Sequence, residues 1–147
     1  MTIFKNLIGH RINGIFTADH NQRLIFRTTE GKYFEYVTEN DCCNSVWVNH
    51  LSGTQCLGDP KNSFDLLRGA IVLGAEDKGW GENRDNEEGY DVVQDGFWTI
   101  HTDRGYIDVE VRNSHNGYYG GTFDECDYQE EGYLDQYNDL KQIIEDF

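Results

Sequence analysis

Short apolar runs and two-residue alternation, rather than helical repeats, organise most of this chain. Residues 10–17 suit a strand with Ile12 and Phe16 facing one way and Ile15 the other. Ala18-Asp19-His20-Asn21 reads as a turn, and Leu24, Ile25 and Phe26 centre a second strand. Thr29-Glu30-Gly31-Lys32 signals another turn before an aromatic-rich strand at 33–38. These three strands predict a meander. A fourth strand within 41–50 centres on Val46, Trp47 and Val48. Residues 51–63 are polar, carry Gly53, Gly58 and Pro60, and read as a loop. Asp65-Leu66-Leu67-Arg68-Gly69 suits one helical turn ended by glycine, and the continuous apolar run 70–75 suits a buried strand.

Residues 77–95 lack periodicity and are rich in charge, which predicts a long mobile acidic loop. The clearest hairpin pairs 96–103 with 106–112. Ile107, Val109 and Val111 face the core there, while Tyr106, Asp108, Glu110 and Arg112 face out. His115-Asn116-Gly117 is a further turn signal, followed by a last strand at 118–123. Tyr133, Tyr137, Leu140, Ile144 and Phe147 then repeat at steps of four and three, which predicts an amphipathic acidic helix over 130–147. The expected fold is α+β: one domain over 1–147, mainly antiparallel sheet in a meander and hairpins, with one C-terminal amphipathic helix.

The chain's 147 residues fit one domain, and sixteen glycines against one proline favour strands joined by tight turns. No stretch approaches the roughly 18 apolar residues of a membrane span, and residues 1–9 are unlike a signal peptide, so a cytoplasmic, reduced setting is expected. Cys42, Cys43, Cys56 and Cys126 are then thiols. Cys42, Cys43 and Cys56 with His50 could supply zinc ligands, but adjacent cysteines on a strand point to opposite faces, so no metal and no cofactor are expected. The histidines form no local catalytic arrangement, and no phosphate-binding loop, dinucleotide fingerprint or nucleophile elbow occurs. The expectation is a non-enzymatic protein.

Charge changes the picture more than composition does. The net charge is −15 at pH 7; residues 1–70 hold seven basic and seven acidic residues, and 71–147 hold five basic and twenty acidic. Such a field repels nucleic-acid phosphates and attracts basic partners. The partner-binding candidates are Glu82, Asp85, Glu87, Glu88, Asp108, Glu110, Asp124, Glu125, Asp127, Glu130, Glu131, Asp135 and Asp139. An alternative is a pocket for a nucleotide signal built from Arg11, Arg23, Arg27 and Tyr33. A third is a metal-dependent hydrolase whose acid clusters hold Mg²⁺ or Ca²⁺.

Four blocks carry a resemblance. Asp41-Cys42-Cys43-Asn44-Ser45-Val46-Trp47, the stretch Leu67 to Glu76, the stretch Gly96 to Gly105, and Ser114-His115-Asn116-Gly117-Tyr118-Tyr119 together resemble a family of short proteins encoded by bacteriophages and prophages. That family is marked by an Asp-Cys-Cys block and an Asn-Gly-Tyr-Tyr block, and more often reads Ser-Asn-Gly-Tyr-Tyr in the last, so His115 is a departure. The resemblance covers roughly residues 7–123 and brings no catalytic residues. It implies a phage-associated setting, in which small proteins often counter host defences. The expected partner is therefore a basic nucleic-acid-binding surface of a host defence complex, blocked by nucleic-acid mimicry as an anti-CRISPR or anti-restriction inhibitor would block it.

Overall fold

The computed structural model describes residues 2–39, 44–53, 67–85, 92–115, 122–126 and 137–144. A 3-10 turn, Lys5–Leu7, precedes ten strands: β1 Arg11–Ala18, β2 Arg23–Thr28, β3 Tyr33–Thr38, β4 Asn44–Gly53, β5 Ala70–Trp80, β6 Arg84–Asp85, β7 Val92–Thr102, β8 Gly105–His115, β9 Phe123–Cys126 and β10 Lys141–Ile144. Their order is β4-β8-β7-β5-β1-β2-β3-β9, with β10 on β1 and β6 on β7, and every pairing is antiparallel.

The sheet works as two halves joined at β1. β5 pairs with β1 only at Arg11 and Ile12, where a bulge between Ile12 and Gly14 redirects β1. Beyond that point β10 takes the vacated edge, opposite Ile15 to Thr17. One core cluster contains Ile12, Leu24, Phe26 and Tyr36 from the first half with Val72, Trp98, Ile107 and Val111 from the second, so the two halves pack face to face. The segment before β1 plugs one margin of this core. Phe4 and Leu7 are fully buried, and the Phe4 ring lies 4.4 Å from Tyr36 and 6.2 Å from Phe26. Burying each of these side chains is worth about 1.5–3 kcal/mol. The plug is held at both sides: Asp77 on β5 accepts the Ile3 N–H at 2.9 Å, and Glu125 on β9 accepts from Asn6 at 2.7 Å.

The meander, the fourth strand and the hairpin stand where the sequence pattern puts them, and β3 matches residue for residue. The α+β class and the C-terminal helix are overturned: over the described residues the chain is antiparallel sheet with one 3-10 turn, and 137–144 form a turn and β10 instead. The three- and four-residue steps of Tyr137, Leu140 and Ile144 fit a helix locally. The open edge of β1 supplies backbone partners and an apolar surface that an isolated helix lacks, and tertiary context overrides the local period. Residues 130–136 and 145–147 lie outside the described residues.

The loop expected at 77–95 is also corrected. Residues 77–80 complete β5, 84–85 form β6, and 92–95 open β7 opposite Arg112 to His115; 86–91 lie outside the described residues. Three of the residues expected in the loop after the fourth strand, 51–53, belong to β4, and 54–63 lie outside the described residues. Of the strand expected at 118–123, Phe123 opens β9, and 118–121 lie outside the described residues.

Gly96 sits where two tryptophans meet. Trp80 and Trp98 pack edge to face with centroids 5.6 Å apart, and a Cβ on Gly96 would stand 2.7 Å from the Trp98 ring and 2.9 Å from Trp80. Neither ring can yield without disturbing the core. Gly96→Ala should therefore destabilise the protein by about 1–3 kcal/mol, read as a lower urea midpoint with an unchanged slope. Gly74→Ala, where a Cβ meets no atom within 4 Å, should move the midpoint far less.

Candidate functional site

The outward residues of β5, β7, β8 and β4 make one face in rows across the strands. Registers place Glu76, Thr99 and Asp108 in one row, Phe97 beside Glu110 in the next, and Asp95, Arg112 and Trp47 in a third. A half-open groove of about 300 Å³ lies here, lined by Lys78, Phe97, Thr99, Asp108 and Glu110 among others. Phe97 is 43% exposed, Tyr106 40% and Leu73 60%. Asp108 accepts from the Thr99 hydroxyl at 2.8 Å, and Glu110 accepts from Asn49 at 3.1 Å with Arg112 at 4.0 Å. Asp95 binds Arg112 at 2.8 Å and also pairs with Arg84. The bond from Asp95 raises the Arg112 guanidinium above its ordinary range. Both carboxylates of the groove are thus oriented by neighbours, on a continuously paired hairpin, beside an exposed ring. That combination suits a cationic side chain, which gains from carboxylates and from an aromatic face together.

The opposite face, over β1, β2 and β3, is covered. Phe16, Ala18 and Ile25 form a second apolar cluster under Tyr33, Tyr137 and Leu140. Glu35 is only 1% exposed; it receives Arg23 at 3.1 Å and the Tyr137 hydroxyl at 2.6 Å. Arg23 also pairs with Asp19 and lies 5.8 Å from the Tyr137 ring centre. Burial works to lower the Arg23 pKa, and pairing with Glu35 outweighs it, so the net shift is upward. Asp139 caps an unusual turn. Asp19, His20 and Asn21 have φ of 54°, 55° and 63°, a left-handed run without glycine. The Asp139 carboxylate accepts the N–H groups of Asp19 and His20 at 2.7 and 2.6 Å. Those two backbone bonds, His20 first, hold its pKa below the ordinary aspartate range.

The acidic candidates among the described residues do not form one surface. Asp108 and Glu110 stand in the groove, and Glu82 and Asp85 lie exposed at β6, beside the Asp95 end of the same face. Asp124 and Glu125 occupy the far-edge strand β9, and Asp139 is committed to the left-handed turn. Glu87, Glu88, Asp127, Glu130, Glu131 and Asp135 lie outside the described residues. Of the alternative set, Arg23, Arg27 and Tyr33 share the covered face. Arg23 is engaged as above, and Arg27 donates to Asn13 at 3.0 Å and lies 5.3 Å from the Phe16 ring centre. Arg11 lies apart and donates to the Gly69 carbonyl. Cys42, Cys43, Cys56 and the His50 side chain lie outside the described residues; Cys126 is a half-buried free thiol. No group of three metal-ligating side chains occurs among the described residues. Phe97, Thr99 and Lys78 were not singled out from sequence, although strict alternation from Trp98 places Phe97 and Thr99 opposite the core.

Fold and surfaces together define an antiparallel β domain with one outer face sealed by a C-terminal segment and the other presenting a groove. The chain belongs to the family described as Domain of unknown function (DUF7448), which matches residues 5–125. That span takes in 77–95 and leaves out 126–147. No curated protein and no solved structure matches the chain. No helix among the described residues is long and apolar enough to cross a membrane.

Glu35→Ala would strip Arg23 and Tyr137 of their shared partner. A loss of about 3 kcal/mol is expected, the low end for a broken buried pair because Arg23 is partly open to water, measured by urea unfolding. The Tyr137 phenol is pushed upward, by burial first and then by its bond to Glu35. A raised pKa means that its stabilising contribution is complete below the ordinary tyrosine value of about 10 and is lost as pH climbs beyond it. Wild-type stability should therefore fall more steeply between pH 9 and 12 than that of Tyr137→Phe, whose ring cannot ionise; equal slopes would contradict the assignment.

Proposed function

We propose that this protein is a non-enzymatic binding protein whose groove face, centred on Asp108, Glu110 and Phe97, contacts the basic nucleic-acid-binding surface of a host defence complex. The observation that carries the reading is the pair of outward carboxylates beside an exposed aromatic ring on the β7–β8 hairpin. Two residues along a strand span about 6.6–6.8 Å, comparable to successive phosphates on a nucleic-acid strand. Glu82 and Asp85 extend the negative field at one end. The charge imbalance of residues 71–147 supplies long-range attraction to an arginine- and lysine-rich channel. The resemblance to phage-encoded proteins supports an origin in a phage or prophage and an action in the bacterial cytoplasm, against a CRISPR effector or a restriction enzyme.

The test is displacement of a labelled oligonucleotide from a panel of such effectors. The protein should compete in a salt-sensitive way, because exposed charges are screened. Asp108→Asn with Glu110→Gln should weaken competition roughly tenfold, about 1.4 kcal/mol. Undiminished competition by that variant, or no competition across the panel, contradicts the proposal.

A further inference from the structure

The face covered by residues 137–144 is separate from the groove. Every residue that forms its floor lies within 5–125, the span of the family domain: the edge of β1 at Ile15 to Thr17, the apolar patch of Phe16, Ala18 and Ile25, the Arg23–Glu35 pair, and the turn at Asp19 to Asn21. Every described residue of the strap that covers it, 137–144, lies outside that span. The family match thus takes in the floor and stops before its cover.

The floor has the parts of a strand-accepting peptide site. An open backbone edge receives an extended segment, and side-chain positions beside it set the sequence read. One position takes a tyrosine, whose hydroxyl reaches Glu35 at 2.6 Å while its ring meets Arg23. A second takes a carboxylate two residues on, received by two backbone N–H groups of the left-handed turn. A third takes the leucine that follows, against the apolar patch. The backbone then continues as a strand on β1. Three successive left-handed residues without glycine hold those N–H groups in an arrangement that ordinary turns avoid.

We propose that this cradle is a peptide-binding site of the domain, for which the strap is a tethered occupant. Its ligand is an extended segment of another protein bearing a tyrosine, a carboxylate two residues later and a leucine next. A tethered occupant acts as a competitor at about millimolar effective concentration, so the wild-type chain accepts such a segment only when it outcompetes the strap.

The probe is a fluorescein-labelled peptide with the sequence of residues 137–144, titrated into the full chain and read by anisotropy. The variant Tyr137→Ala with Asp139→Asn, which weakens the strap's own hold, should bind it at least about tenfold more tightly than wild type. Replacing the peptide's tyrosine by phenylalanine and its aspartate by asparagine should cost about tenfold or more. Those changes are on the peptide and cannot unfold the protein. If the double variant does not melt cooperatively, Asp139→Asn alone takes its place. Asp108→Asn with Glu110→Gln should leave peptide binding unchanged, which separates this result from the fate of the groove. Absence of binding to a folded variant, or equal binding of native and altered peptides, overturns the proposal. Sedimentation showing a wild-type dimer whose straps exchange on mixing would assign the cradle to a second copy and would also overturn it.

Discussion

Three different strands compete for the length of β1, and the way it divides itself among them sets the rest of the structure. β2 follows one edge throughout. The other edge is given to β5 for two residues and then to β10, with the bulge before Gly14 marking the change. That departure lets the second half of the sheet turn back over the first, so that Trp98, Ile107 and Val111 meet Ile12, Phe26 and Tyr36 in one core. Gly14 belongs to the same device. A Cβ there would stand 2.8 Å from the Phe16 ring and 3.2 Å from the Arg27 guanidinium, which occupy the space its absence leaves.

Folding back in this way gives the molecule two outer faces of different character. One keeps Glu35, a buried carboxylate, satisfied by Arg23 and Tyr137 under an apolar cover. A buried charge is tolerated only with such pairing, so the cover and the charge depend on one another. The other face has its carboxylates partly exposed beside Phe97, each steadied by a neutral or cationic neighbour. The same residue type therefore serves as an internal tie on one side and as an approachable charge on the other.

Legibility in the sequence follows how local the cause of each feature is. The alternation Ile107, Val109, Val111 against Asp108, Glu110 is self-contained, and it gave the hairpin and two groove residues together. The start of β7 was hidden because Gln94 and Asp95 look like loop; their place is fixed by Asn113 and Arg112 across the ladder. The strap was misread for a related reason. Its three- and four-residue steps are real, but its conformation is decided by β1 and by a turn about 120 positions away in sequence. The burial of Glu35 was illegible for the same cause, since its cover comes from Tyr137, 102 positions along. Charge counting located the surplus by half of the chain, yet could not show that Asp139 is committed to two backbone N–H groups while Asp108 is held by one hydroxyl beside the groove.

The division of β1 also has a temporal side. Its partners are synthesised in the order β2, β5, β10, and the last of them begins 123 positions after β1 ends. At about 5–20 residues per second, roughly 6 to 25 seconds of translation separate the two. Throughout that interval the nascent domain holds a bare strand edge and an uncovered apolar patch, so the growing polypeptide passes through a stage in which chaperones, or a neighbouring chain on the same message, have first access to that edge.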